Sequence, residues 1–277
     1  MCRKWRHDGG MEVEEETMEQ GFSQLEDRYH AILGVYALHT ETGETIASNE
    51  EDRFAYASTH KALSVGVLLQ QHSLEELDKR VHYNEKDLVT YSPITEQHVE
   101  TGMTLKELSD ASIRFSDNPA ANFIFNEIGG PEGFKHALQD MGDQVTEPKR
   151  WETELNHWAP GEVSDTSTAK ALVETLHGVA LGDELDEEKQ DLFTDWLVHN
   201  TTGDTLIRAG VPKGWQAGDK TGSAVYGTRN DIGIIWPPDH APVVLAVLSH
   251  TDEEDGEVDD HLIADATKEV LILLGLE

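Results

Sequence analysis

An α/β fold is what this sequence predicts: one sheet assembled from the two ends of the chain, with an all-helical segment inserted between them. Three observations lead there. Strand patterns lie near the start, at residues 31–38, and near the end, at 232–236 and in the continuous apolar run 243–248. Between them, from Ser58 to about Thr202, the pattern is helical, with breaks at Gly102, Gly129-Gly130-Pro131 and Pro160-Gly161. A closing helix then places Leu262, Ile263, Ala266, Val270, Leu273 and Leu274 on one face.

Taken in order, residues 1–20 mix charges without periodicity and read as a disordered lead-in. A helical pattern covers 22–30, and residues 31–38 form a strand that turns through Glu41-Thr42-Gly43-Glu44 into a second strand, a hairpin signal. The first long helix opens at Ser58 and carries Ala62, Leu63, Gly66, Val67 and Leu69 on one side. No strand of conviction interrupts the helical stretch. The run 243–248 is apolar enough to be buried on both faces of a sheet. The domains expected are thus a lead-in at 1–20, an α/β domain of 21–57 plus 203–277, and a helical domain of 58–202, with a site at the junction of the last two.

Composition narrows the function. The chain has 277 residues, with 54 Asp plus Glu against 21 Lys plus Arg, a formal net charge of −33 distributed along its whole length. A field of this sign repels nucleic-acid phosphates and anionic membranes, which argues against both as partners. No apolar run reaches the roughly eighteen residues that a membrane span needs. Such a surface is that of a halophilic or halotolerant protein, and it allows weak surface cation binding. The run Asp252-Glu253-Glu254-Asp255 lacks EF-hand spacing, however, and reads as a solvated face. With one cysteine, Cys2, no intramolecular disulfide forms. Residues 1–10 contain no apolar h-region and are not a complete signal peptide, so either the chain is intracellular or its export signal has been removed, and Cys2 is a candidate for lipid attachment.

Ser58 and Lys61, three apart on a helix, share a face one turn from each other, so an amine reaches a hydroxyl. Serine is a weak nucleophile until a base takes its proton, and a lysine serves as that base only if its surroundings depress a pKa of about 10.4. The start of a helix also favours an oxyanion. Ser116-Asp117-Asn118 follows an apolar helix end at Phe115, and Lys220-Thr221-Gly222 precedes a strand, where the small Gly222 lets backbone approach a ligand. Each alone is an ordinary N-cap, turn or hairpin edge. Together, in this order and with Glu152 and Asn156 in Trp151-Glu152-Thr153-Glu154-Leu155-Asn156, they exceed coincidence. Fourteen histidines show no H-E-x-x-H or comparable spacing, so no metal is expected.

The combination S-x-x-K, S-D-N and K-T-G resembles that of class A β-lactamases and penicillin-binding proteins. The resemblance runs from about Phe22 to Leu274 and is closest to the secreted penicillinases of Bacillus-type bacteria, with matches such as Thr201-Thr202-Gly203-Asp204 and Gly227-Thr228-Arg229-Asn230-Asp231. It implies a β-lactamase/DD-peptidase-like fold, a five-stranded antiparallel sheet flanked by helices in three α-β-α layers beside an all-helical domain. It implies an enzyme that hydrolyses the β-lactam amide of penicillins and some cephalosporins, confers antibiotic resistance, uses no cofactor, and is a secreted or cell-envelope monomer.

Carried over residue by residue, the resemblance makes Ser58 the acylated nucleophile, Lys61 its hydrogen-bond partner, Glu152 the activator of a hydrolytic water and Asn156 a holder of that water. Ser116 passes a proton to the departing ring nitrogen. Asn118 binds the substrate side-chain amide, and Lys220, Thr221 and Arg229 receive the ligand carboxylate. The backbone N–H groups of Ser58 and Ser223 form the oxyanion hole, beside Gly222, and Tyr91 lines the cleft mouth. Either Lys61 or Glu152 initiates acylation. Arg150 and Asp165 pair at the neck of the Glu152 loop. Departures from the usual pattern are His157 and Trp158 after Asn156, and Ser164 where arginine is frequent; Ala57 and Ala224 stand where some carbapenem-hydrolysing relatives place a disulfide. The alternative is a penicillin-binding or sensing domain, which shares the three motifs but lacks the Glu152–Asn156 pair; a cation-binding protein on a dead enzyme fold needs a defective site.

The distributed charge sets the first prediction. Screening in molar salt shortens the Debye length to about 3 Å and relieves self-repulsion, so the unfolding midpoint rises from low to molar NaCl. A flat or falling series removes the salt-adaptation reading.

Overall fold

The computed structural model of the protein describes residues 10–276; residues 1–9, with the Cys2 singled out above, and Glu277 lie outside the described residues. Helix α1 spans Gly10–Tyr29 and so starts upstream of Phe22, taking in residues 10–20 of the stretch read as lead-in. Those residues are rich in glutamate, which favours helix intrinsically without supplying the apolar stripe that a periodicity reading needs. His30, at φ 51°, turns the chain out of the helix.

Strands β1 (Ile32–His39) and β2 (Thr45–Ser48) form the expected hairpin, with Leu38 opposite Thr45. After β3 (Phe54–Ala55), a single 3-10 turn at Ala57–Thr59 feeds helix α2 (His60–Gln71), so Ser58 stands just ahead of the helix proper. The helical stretch then contains α3 (Leu105–Arg114), α4 (Asn118–Glu127), α5 (Gly130–Asp140), α6 (Ala169–Ala180) and α7 (Glu187–Val198). Three two-residue strands also occur in it: β4 (Arg80–Val81) pairs with β5 (Met103–Thr104), and β6 (Thr166–Ser167) pairs with β3. Segments this short carry no alternation that a sequence reading detects. The short α8 (Ile207–Gly210) leads to β7 (Gln216–Ser223), β8 (Arg229–Trp236), β9 (Val243–His250) and α9 (His261–Leu273).

Five strands make one antiparallel sheet in the order β2-β1-β9-β8-β7, closed across the chain ends by β1 against β9, where Ile32 faces His250 and His39 faces Val243. The run expected to be buried on both faces is so. Val244, Ala246 and Leu248 join the core shared with α2 and α6, whereas Val243, Leu245 and Val247 join a second core under α1 and α9. Alternation of side chains along a strand sends neighbours to opposite faces, and each fully buried aliphatic side chain contributes about 1.5–3 kcal/mol. The layers are helix, sheet, helix.

Two details differ from the sequence reading. Helix α2 is buried from His60 through Leu69, not on one side only, because α3, α4, α5 and α6 surround it. Gly66 permits this crowding, since a Cβ there would lie 2.8 Å from Val179 Cγ1 on α6. Lys220-Thr221-Gly222 lies inside β7 rather than before a strand. Polar residues and glycine hide the β pattern, but pairing with β8 holds them extended, Lys220 opposite Ile232. β7 is the edge of the sheet, so its outer side is free to line a site.

Candidate active site

Ser58 is brought to the edge of β7 by the turn that precedes α2. Ala57 in that turn has φ 47°, a left-handed conformation uncommon for a residue with a side chain. Gly222 permits the approach: a Cβ there would sit 3.1 Å from Ser58 N and 3.1 Å from Tyr56 O. Asn230 on β8 fixes the same turn by donating from Nδ2 to Ala55 O at 2.7 Å.

One turn on, the fully buried Lys61 donates to Ser58 Oγ at 2.7 Å, to Asn118 Oδ1 at 2.5 Å and to Ser116 O at 3.2 Å, with Ser116 Oγ at 3.4 Å. Its Nζ also lies 2.9 Å from Glu152 Oε1. Ser116 and Asn118 are held by Asp117, the N-cap of α4, whose buried carboxylate accepts from the backbone N–H groups of Ala120, Ile94 and Thr95. Ser116 itself has φ 56°. Asn118 is anchored further by Thr90 O, at 2.9 Å from its Nδ2, and by Tyr91 O, at 3.1 Å from its N–H. Tyr91 is 56% exposed at the mouth.

Glu152 lies on the loop between α5 and β6, buried with its carboxylate aimed at Lys61. Its Oε2 accepts from Asn156 Nδ2 at 2.9 Å, and its Oε1 faces His60 Nε2 at 3.1 Å. Burial of the carboxyl favours its neutral form, but the Lys61 charge and the His60 hydrogen bond outweigh this and hold it well below the usual carboxylate range. The backbone of Glu152 is clamped from α4, where Asn122 donates to its carbonyl at 2.8 Å and accepts from its N–H at 2.9 Å. Arg150 and Asp165 do pair at the loop neck, Nε to Oδ2 at 2.5 Å, and Asp165 also accepts from Tyr56 Oη at 2.9 Å. The departure at Trp158 adds an anchor: its ring is buried edge-on against His250, with centroids 5.1 Å apart, and against Tyr226.

Across the cleft, Lys220 Nζ donates to Ser116 Oγ at 3.1 Å and to Thr221 O at 2.8 Å. Burial, then repulsion from Lys61, pulls its ammonium down to about 7, against the opposing attraction of Asp219, Asp231 and Glu152. Thr221 shares a 2.7 Å hydroxyl contact with Thr202. Arg229 is aimed by Asp260, which accepts from its Nε at 2.7 Å, and donates to Ser223 Oγ at 3.0 Å. These groups surround a cleft of about 310 Å³ lined by Ser58, Ser116, Asn118, Asn156, Thr221 and Arg229, among others. Lys61, Glu152 and Lys220 stand buried behind its wall. A hydroxyl in contact with one amine, a second hydroxyl touched by two amines, a carboxylate–amide pair and a cationic group at the rim suit acyl transfer.

The chain matches the beta-lactamase enzyme family over residues 17–273. A β-lactamase of Bacillus licheniformis is 58% identical over 263 residues, covering 95% of this chain and 86% of its own. Among solved structures, a halotolerant bacterial β-lactamase superposes with TM-score 0.90 at 53% identity, covering 92% of this chain and 98% of its own. A class A β-lactamase from Clostridium kluyveri superposes with TM-score 0.93 at 48% identity, covering 94% and 99%. The chain belongs to the class A β-lactamases.

The residues singled out in the sequence of this class A β-lactamase converge on one cleft or its wall. Three contacts were not anticipated. Asn122 lies one helical turn beyond Asn118, and that i, i+4 spacing was its only sequence signal. Thr202 was noted as a family match without a contact. His60 was passed over as a spacer inside S-x-x-K.

The depressed Lys220 sets a pH test. The group is charged below about 7 and loses its charge as pH rises through that value, so affinity for a carboxylate-bearing competitive inhibitor falls over the same range. The fall approaches about tenfold per pH unit where only the protonated form binds. Lys220→Arg, charged throughout, flattens the profile. An inhibition constant independent of pH in the parent enzyme refutes the assignment.

Proposed function

We propose that the enzyme hydrolyses penicillins, and some cephalosporins, through an acyl-enzyme on Ser58, and thereby confers antibiotic resistance. Ser58 Oγ attacks the β-lactam carbonyl carbon. Its proton leaves through Lys61, the amine in contact with both Ser58 Oγ and Glu152. The developing oxyanion is received by the N–H groups of Ser58 and Ser223, next to Gly222. Ser116, in contact with both lysines, hands its proton to the ring nitrogen as the C–N bond breaks and receives in its place the proton that Lys61 took from Ser58. Lys220, Thr221 and Arg229 take the substrate carboxylate, Asn118 takes the side-chain amide, and Tyr91 covers the mouth.

Water then completes the cycle. Glu152 takes its proton, the oxygen adds to the acyl carbon, and the bond to Ser58 Oγ breaks with return of the proton to the serine. The observation that carries hydrolysis over mere acylation is the ionised Glu152, paired to Asn156 and in contact with Lys61. A penicillin-binding or sensing domain has no use for that pair, and nothing here favours it.

The charge of −33 and the likeness to a halotolerant relative support salt adaptation. Among the described residues no helix is long and apolar enough to cross a membrane. We place the enzyme, as a monomer, at the cell envelope or outside it, since β-lactams reach a cell from outside. Activity in the envelope or medium fraction, sedimenting as a single chain, is the expected result; activity confined to the cytoplasm removes this placement.

The two chemical steps separate in one mass experiment with benzylpenicillin. Ser58→Ala shows no covalent adduct, because no hydroxyl remains to attack. Glu152→Ala accumulates an adduct of the whole drug while turnover falls by about 10²–10⁴ or more, the usual worth of a general base. An adduct on Ser58→Ala, or near-parental turnover in Glu152→Ala, overturns the corresponding role.

A further inference from the structure

His60 precedes Lys61 in the sequence Ser58-Thr59-His60-Lys61, and its ring is almost completely buried, at 1% exposure. It is enclosed by aromatic rings, with centroids at 4.8 Å for Phe125, 5.6 Å for Tyr56 and 6.3 Å for Phe134. Nε2 faces Glu152 Oε1 at 3.1 Å, while Nδ1 is buried without a hydrogen-bond partner. An ionised carboxylate only accepts, so the hydrogen sits on Nε2 and Nδ1 keeps a lone pair. A second proton would place an unpaired N–H and a charge among rings, and burial correspondingly lowers the histidine below its ordinary value.

The consequence is an asymmetric carboxylate. Oε1 faces two groups, the Lys61 ammonium in ion-pair contact at 2.9 Å and the His60 Nε2 donor at 3.1 Å. Oε2 receives Asn156 Nδ2 at 2.9 Å and retains a lone pair. We propose that His60 is a positioning residue for deacylation: by donating to Oε1 beside Lys61 it fixes the Glu152 carboxylate and makes Oε2 the oxygen that takes the water proton. The water oxygen then bonds to the acyl carbon, the acyl C–O bond to Ser58 breaks, and the proton returns to Ser58 Oγ. The inference rests on Glu152 as the base for water.

The charged and titratable groups facing this pair are Lys61 on α2, Lys220 on β7, and Tyr56, which is itself bonded to Asp165 at the loop neck. From α4 come Asn122 and Phe125, and from α5 comes Phe134. A change at His60 alone leaves each of these side chains unaltered in sequence, so a shift in the titration of Glu152 is expected to report the lost donor. His60→Phe keeps a ring in the aromatic cage and removes the N–H. His60→Gln restores an N–H at a similar reach without a titrating group.

The test follows the pH dependence of the deacylation rate constant of the benzylpenicillin acyl-enzyme in parent, His60→Phe and His60→Gln, with Glu152→Ala alongside. Loss of a donor to the charged form raises the Glu152 pKa, so the acid limb of His60→Phe moves up by about one pH unit. The acyl-enzyme fraction at steady state grows, while kcat/KM changes less, and His60→Gln returns the limb toward the parent. An unmoved limb in folded His60→Phe, or an equal shift in both variants, overturns the proposal whatever happens to the rate. Independently of any variant, nitrogen NMR of labelled histidine in the parent is expected to show Nε2–H with bare Nδ1 at neutral pH; an Nδ1–H tautomer or an imidazolium overturns it. Arrest of Glu152→Ala together with normal behaviour of His60→Phe defeats only the role of His60. Retained turnover in Glu152→Ala defeats the base assignment and this inference with it.

Discussion

A fully buried ammonium must be surrounded by acceptors, because an unpaired one loses several kcal/mol of hydration. Lys61 meets that condition only if three separate pieces of chain arrive together: the turn before α2 with Ser58, the start of α4 with Ser116 and Asn118, and the loop before β6 with Glu152. The same contacts that satisfy the charge place the nucleophile, the second carboxylate and the hydroxyl nearest Lys220 around one point. Stability and function are coupled here, since a piece displaced from Lys61 leaves an unmet charge as well as a broken relay.

The supports of this centre are themselves fixed from behind. Asp117 caps α4 and ties it to residues 94 and 95, so Ser116 keeps its left-handed backbone. Asn122 holds the Glu152 backbone from two sides, and Asp165 closes the loop neck against Arg150 and Tyr56. Asp165 is wholly buried and receives donors from Arg150, Tyr56, and the N–H groups of residues 149 and 150. A buried carboxylate supplied in this way organises a loop with no regular secondary structure beyond one short 3-10 turn.

The cleft gathers cationic side chains within a strongly anionic chain. The chain carries −33, yet Lys61, Lys220 and Arg229 converge on the cleft and its wall. Long-range repulsion of an anionic ligand is screened by salt, with a Debye length of about 8 Å at physiological strength, while contacts within the cleft are screened far less. Salt therefore removes the obstacle and leaves the attraction, which makes an acidic surface compatible with recognition of a carboxylate.

What the sequence determined by itself was what short-range pattern encodes: the hairpin of residues 32–48, the doubly buried strand at 243–248, the amphipathic closing helix, and the motif residues whose spacing on one helix or strand carries their chemistry. The tertiary structure decided the rest. Pairing of Ile32 with His250 brings the chain ends together, and the packing of α3 to α6 around α2 buries every side of that helix. Only that enclosure turns His60 from a spacer into a donor to Glu152, and only the burial of Lys220, together with its approach to Lys61, lowers its affinity for a proton. Propensity and periodicity act over a few residues, whereas desolvation and Coulomb interaction depend on distances that exist only once distant segments have packed.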